Sequence, residues 1–302
     1  MKLSVLIPAR NEQFLKRTID DLLENIEDET EIIAVLDGQW AKPAIPQNER
    51  VKVLYFPKSI GQRAATNQAC RLSKAKYVMK LDAHCAVGKG FDRILIEDMQ
   101  DDWTVFPYQY NLHAFNWKCK NCGHERYQGP SGPCEKCNGE TFQDMKWKRR
   151  ESRRTSSMRF DTNLKFQYWG AYQKEQVGNH VESMSCLGAC WMLTRERYWE
   201  LEICDERHGS WGQQGTEVAC KSWLSGGKLI CNKRTWFAHM FRTQGGDFGF
   251  PYSIRQKDVQ VARNYSRDLW FKGKWNKAVH DLKWLIDKFN PPEWDTFDWS
   301  KI

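Results

Sequence analysis

The tripeptide Asp82-Ala83-His84 sets a carboxylate and an imidazole two residues apart, a pair suited to a divalent cation that a distant His239 can complete. The tripeptide closes the apolar stretch Tyr77-Val78-Met79-Lys80-Leu81. An acidic motif at the carboxyl end of a parallel strand lies where open α/β sheets bind ligands, and carboxylate with imidazole suits an ion such as Mn²⁺. The chemistry indicated is a nucleotide diphosphate held through a metal. Neither G-x-G-x-x-G nor G-x-x-x-x-G-K-[ST] occurs, so no dinucleotide fingerprint or P-loop can hold the phosphates instead.

A second set of metal ligands is of a different kind. Cys119-x-x-Cys122 and Cys134-x-x-Cys137 are separated by eleven residues, 123 through 133. Two such knuckles bring four thiolates into a tetrahedron, the pattern of a zinc ribbon. Four thiolates leave no position open for water, so this zinc is expected to be structural, folding a segment too short for its own core. The other seven of the eleven cysteines, Cys70, Cys85, Cys186, Cys190, Cys204, Cys220 and Cys231, are scattered among mostly apolar neighbours. They read as reduced core thiols of a cytoplasmic protein.

The elements that must position these groups alternate. Leu3 to Ile7 reads as a buried strand running into Pro8-Ala9-Arg10, and Leu15, Ile19, Leu22, Leu23 and Ile26 follow at helical spacing. Ile32 to Leu36 ends in Asp37-Gly38, and Val51 to Phe56 leads to Gly61-Gln62-Arg63. Strands alternating with helices predict an α/β, Rossmann-like parallel sheet with polar residues at its strand ends. Near the other terminus Ala278, Val279, Leu282, Leu285, Ile286 and Phe289 form a helical stripe before Asn290-Pro291-Pro292, and Trp270, Trp275, Trp284, Trp294 and Trp299 are expected to clamp it to the core.

In their order and spacing, V-L-I-P-A-R-N-E, V-L-D-G and D-A-H resemble the nucleotide-sugar half of the GT-A glycosyltransferases, specifically family 2 together with the polypeptide N-acetylgalactosaminyltransferases. Further on, Ser185 to Leu193, Trp211-Gly212-Gln213-Gln214-Gly215-Thr216-Glu217, Trp223-Leu224-Ser225-Gly226-Gly227 and Ala238-His239-Met240-Phe241-Arg242 are similar to that group's second half. The resemblance spans roughly residues 1–112 and 180–270. It implies a GT-A fold in which Asp82, His84 and His239 ligate Mn²⁺ or Mg²⁺ bridging the diphosphate of a UDP-sugar. Pro8, Arg10, Asp37, Arg63 and Trp211 would line the donor pocket, with Asp37 facing the uracil or ribose. Arg242 would add a positive contact, and Gly245-Gly246 and Gly249 would let a lid move.

Gln214 stands where the resemblance predicts Glu, and Gly215 where it predicts Asn. Glu217 is then the carboxylate expected to act on the acceptor, as base in an inverting reaction or as orienting group in a retaining one. The resemblance leans toward retention, and Gln214 leaves the outcome open.

The expected organisation is a catalytic domain over 1–112 and 155–250, a zinc-ribbon insertion over 113–146, a basic segment over 147–154 and a helical region over 251–302. Net charge is +8, and residues 146–154 alone hold six cations and one anion. Lys146, Lys148, Arg149, Arg150, Arg153 and Arg154 interleaved with Trp147 fit a surface that follows a phosphate backbone and stacks on an unpaired base. A hydroxymethylated pyrimidine in DNA is therefore the favoured acceptor, reached by flipping if the DNA is duplex. A protein Ser/Thr or a surface glycan is the alternative, and a non-catalytic nucleic-acid-binding module is the third reading. No stretch approaches the ~18 apolar residues of a membrane span.

Overall fold

The computed structural model describes residues 1–242 and 248–301. Its first half runs β1 (Leu3–Ala9), α1 (Leu15–Asn25), β2 (Thr30–Asp37), β3 (Val51–Phe56), α2 (Gln62–Leu72), β4 (Tyr77–Leu81), β5 (Cys85–Val87), α3 (Phe91–Asp98), β6 (Trp103–Cys119), β7 (Glu125–Tyr127) and β8 (Thr141–Thr155). Next come β9 (Met158–Phe160), β10 (Phe166–Tyr168), α4 (Gly170–Glu175), β11 (His180–Glu182), β12 (Cys190–Thr194), α5 (Arg195–Glu200), α6 (Gln214–Leu224), β13 (Lys228–His239), α7 (Gln256–Trp270) and α8 (Leu282–Phe289). Among the described residues no helix is long and apolar enough to cross a membrane.

One mixed sheet, ordered β11-β13-β6-β12-β4-β1-β2-β3, organises the chain. Strands β4, β1, β2 and β3 are mutually parallel, as the strand–helix alternation predicts. The far half departs from a purely parallel sheet, because β12 enters antiparallel between β4 and β6. Period-two alternation sorts the interior: Leu6, Ile33 and Val35 face α2 and the C-terminal helices. Val5, Ile7, Ile32 and Ala34 face the opposite way, with Leu15, Ile19 and Leu22 of α1. Both faces of β2 are covered, so its apolar run is continuous rather than alternating.

The expected boundaries at 112/113 and 154/155 fall inside β6 and β8. The cysteine knuckles therefore cap a hairpin that is an outgrowth of the catalytic sheet, with β6 pairing β8 on one side and β7 on the other. Phe14, Phe115 and Trp147 root it in a third apolar cluster shared with Phe248. At the other terminus Asp281 accepts a hydrogen bond from the Trp284 N–H and starts α8 there, so Ala278 and Val279 lie outside the helix they were expected to join. Trp270, Trp275 and Trp294 are buried in the main core, as the clamp requires, and Trp284 and Trp299 pack against it.

Candidate active site

Parallel strands put their carboxyl ends on one edge, and here β1, β2 and β4 deliver Pro8 to Arg10, Asp37 and Asp82 to a single cavity of about 780 Å³. His239 arrives by register: β13 runs antiparallel to β5 with His239 opposite Cys85, the neighbour of His84. His84 Nε2 and His239 Nε2 consequently lie 3.1 Å apart, and His239 Nε2 lies 3.3 Å from Asp82 Oδ2. One ligand atom from each of the three residues falls within 4.8 Å of the others.

The donor chemistry fits a divalent ion. Glu12 Oε2 lies 3.2 Å from His84 Nδ1, so a proton on that nitrogen turns the Nε2 lone pair toward His239. Burial pushes His239 down to about 4, which keeps the imidazole in its neutral, ligating form. Its Nδ1 is buried without a hydrogen-bond partner. Burial would raise the Asp82 carboxyl, but Lys80 and the two histidines hold it well below the usual carboxylate range. Lys80 itself is fully buried, contacts Asp82 Oδ1 and donates to the Gly188 carbonyl at 2.6 Å. Asp82 thus keeps Oδ2 for the histidine side.

Loop 186–189 and the start of α6 form the adjoining wall. A Cβ on Gly215 would lie 2.0 Å from the Cys186 carbonyl oxygen, so the position where the resemblance predicts Asn has no room for any side chain. Gln214 lines the cavity, and its amide donates to Cys204 Sγ at 3.3 Å. An amide cannot serve as an acid or base there.

Glu217 and Arg63 are corrected by their surroundings. Neither lines the cavity, and both are buried. Arg63 Nε donates to Glu217 Oε2 at 2.9 Å, while Lys221 Nζ and the Asp205 N–H bind Oε1 at 3.0 and 2.7 Å. Burial would raise Glu217, but Lys221, His208 and Arg63 hold it far below its ordinary value. A carboxylate already saturated one helical turn beyond Gln214 has no free oxygen for an acceptor. Arg63 instead donates to the carbonyls of Gly209 at 3.4 Å and Gly212 at 2.7 Å, bracing the loop that carries Trp211 into the cavity.

The other expected residues divide. Pro8, Arg10, Asp37, Trp211 and Arg242 do line the cavity. Asp37 is occupied by the Ile60 and Gly61 N–H groups and Ser59 Oγ, fixing the loop after β3. Arg10 lies over the Tyr252 ring at 4.5 Å. Arg242 pairs with Glu12 and stacks on Phe248 at 4.3 Å, tying the end of β13 to the residue that orients His84. Of the expected lid, Gly245 and Gly246 lie outside the described residues. Glu12, Lys80 and Tyr252 were missed; a lone lysine within a buried apolar strand was the available signal for Lys80.

The cysteine cluster converges as the spacing predicts. Sγ–Sγ separations of 3.4, 3.5 and 3.6 Å approach the ~3.8 Å edge of a tetrahedron built on ~2.3 Å Zn–S bonds. The Cys122 and Asn121 N–H groups pull the Cys119 thiol down to about 6. Despite the Gly139 N–H, the Cys119 and Cys122 sulfurs push Cys137 up to about 12. Four sulfurs this close need a cation to ionise together.

The basic residues lie on β8, and none lines the cavity. Carboxylates already pair Lys146, through Asp144 and Glu125, and Arg149, through Glu151. Lys148, Arg150, Arg153 and Arg154 form no ion pair within 4.0 Å among the described residues, although Tyr110 and Glu151 both act on Arg154 and Arg150 donates to Tyr127 Oη at 3.2 Å. Trp147 is not available for stacking on a base. With φ +43° it turns inward against Phe14 and is buried.

With the geometry in place, the glycosyl transferase family 2 profile matches residues 4–201. The chain belongs to glycosyl transferase family 2. It is 24% identical over 282 residues to a putative polypeptide N-acetylgalactosaminyltransferase 13 of Drosophila melanogaster, covering 86% of this chain and 44% of that protein. A crystal structure of GalNAc-T7 with UDP, GalNAc and Mn²⁺ superposes at a TM-score of 0.67 and 14% identity over 99% of this chain and 58% of that one. That likeness establishes a shared GT-A architecture, and the chain spans about half the length of both proteins. Within this family 2 fold, the cysteine-capped hairpin and the C-terminal helices complete the expected plan.

Proposed function

We propose that the chain transfers a sugar from a UDP-sugar to a hydroxyl acceptor with the help of Mn²⁺ or Mg²⁺. The observation that carries this is the convergence of Asp82, His84 and His239 at the strand ends of a family 2 fold, within the cavity. A divalent ion held there would offset the charge developing on the diphosphate as the glycosidic bond breaks. Lys80 and Glu12 set the faces that Asp82 and His84 present, and Trp211 and Tyr252 line the remaining space.

The state of the carboxylates favours retention. Of the acids lining the cavity among the described residues, Glu12 is engaged by Arg242 and His84, and Asp37 by two N–H groups and Ser59. Asp82 belongs to the metal set, and Asp258 pairs with Arg255. Because each of these four described carboxylates is already engaged, the reading we favour has the bond to the acceptor oxygen form on the face the diphosphate leaves. The acceptor proton passes to the departing diphosphate oxygen.

For the acceptor we infer a hydroxymethylpyrimidine in DNA, supported by the row of cations Lys148, Arg150, Arg153 and Arg154 along β8. The Drosophila match favours a second reading, a protein Ser or Thr. Seven buried thiols outside the four-cysteine cluster support a reducing compartment such as the cytoplasm. The test incubates the protein with UDP-sugar, Mn²⁺ and, in parallel, a hydroxymethylated oligonucleotide, unmodified DNA and a Ser/Thr peptide, with the product anomer read by NMR. Transfer to the hydroxymethylated strand with retained configuration is expected. Transfer to the peptide alone would replace the acceptor, and an inverted product would overturn the carboxylate argument.

A further inference from the structure

Part of the cavity wall is assembled from three segments that lock onto one another. Asp161 Oδ1 accepts from the N–H groups of Asn163 at 2.8 Å and Lys165 at 3.0 Å, fixing the turn between β9 and β10. Gln213 Nε2 donates to the Leu164 carbonyl at 3.0 Å and joins that turn to the Trp211 loop. Helix α7 lies directly on the same loop: a Cβ at Gly209 would sit 3.6 Å from Val261, and one at Gly212 would sit 3.6 Å from Ala262. The next residue of α7 is Arg263, which lines the cavity with Lys165 and Trp211.

Arg263 Nε is buried without a hydrogen-bond partner, and neither Arg263 nor Lys165 forms an ion pair among the described residues. Two cavity-lining cations without a counter-charge favour an anion with matching oxygens, to which a guanidinium offers a planar fork of donors. Phe166, Trp211, Phe250 and Tyr252 line the same cavity, with Trp211 and Phe250 edge to face at 5.9 Å. Cations and aromatic rings lining one cavity suit a ligand that is anionic at one point and flat at another, which describes a nucleotide unit.

We propose that Arg263 and Lys165 form a phosphodiester subsite for the acceptor, with Phe250 offering the surface for its base. This rests on the DNA-acceptor reading and is separate from the cations of β8. Fluorescence polarisation with a single-stranded oligonucleotide carrying one 5-hydroxymethylcytosine tests it. Arg263→Gln should weaken binding roughly tenfold, the loss of one charge-assisted contact, and Arg263→Lys should lose less. A neutral methylphosphonate in place of the phosphate next to the target should weaken the unaltered protein similarly and the Arg263→Gln protein no further. Thermal unfolding of Arg263→Gln verifies that the fold persists.

Unchanged oligonucleotide affinity in Arg263→Gln overturns the subsite, as does a loss of UDP affinity in its place, which would assign Arg263 to the donor. If the oligonucleotide binds through the β8 cations alone, the subsite fails while the DNA reading stands. If no oligonucleotide binds and a peptide is the acceptor, it is the DNA reading that fails.

Discussion

Replacing Glu217 by Gln separates a structural carboxylate from a chemical one. Glu217 is fully buried and answers two buried cations at once, with Arg63 Nε at 2.9 Å and Lys221 Nζ at 3.0 Å. An amide of the same shape keeps some hydrogen bonds but leaves both cations without their counter-charge, and breaking a buried pair in this way costs about 3–5 kcal/mol. For a chain of this size each kcal/mol moves the midpoint by about 2 °C, so a fall of roughly 6–10 °C is expected. Calorimetry on both proteins, with UDP affinity at a temperature where both are folded, gives the measurement. Because Arg63 braces the Gly209 and Gly212 carbonyls around Trp211, the variant should also bind donor less well. A variant that melts like the unaltered protein, binds UDP normally and has lost only transfer would show that Glu217 acts on the acceptor and that the structural account is wrong.

Three further outcomes follow from the same interior. His208 is pushed down to about 4, first by its burial, whereas in the unfolded chain it titrates near its ordinary 6.5; the unfolded state therefore takes up the extra proton first, and His208 should contribute a loss of up to about 3 kcal/mol as pH drops from 6.5 through 4, beside a similar one from His239, read as the difference in melting points at stepped pH between the unaltered protein and His208→Gln. The same pH dependence in both proteins would show that His208 is not held neutral. Gly215→Ala must displace the Cys186 carbonyl, so a loss of about 1–3 kcal/mol is expected in denaturant titrations, and an unchanged midpoint would contradict the close approach. Cys134→Ser should abolish a content of about one zinc per chain, by elemental analysis, while UDP affinity persists because Asp82, His84 and His239 form a separate cluster. Zinc retained at full content would remove the four-thiolate site.

What the sequence disclosed was whatever sits in short local patterns. Asp82-Ala83-His84 and the paired C-x-x-C motifs carry their geometry in their spacing, and the apolar runs of β1, β2 and β4 announce a parallel sheet. His239 was reachable only through resemblance, since its partner Cys85 lies far away in the chain. Glu217 and Arg63 misled because a motif does not say how deep a side chain lies. Gln214 borders the cavity, while Glu217, one turn further along α6, meets Arg63 and Lys221 inside the fold. The basic run was visible as charge, yet not that Asp144, Glu125 and Glu151 already answer two of its members, nor that Trp147 turns into the core. Lys80 and Arg263 acquire meaning only from neighbours that folding supplies.

The most direct test of the metal-dependent donor site is Mn²⁺ and UDP binding to the intact chain and to His239→Ala, with Mn²⁺ followed by electron paramagnetic resonance and UDP by calorimetry. The site predicts one Mn²⁺ per chain beyond the zinc, tight UDP binding only when that ion is present, and loss of both in the folded variant. UDP bound equally well in chelator, or Mn²⁺ held as tightly without His239, would contradict it.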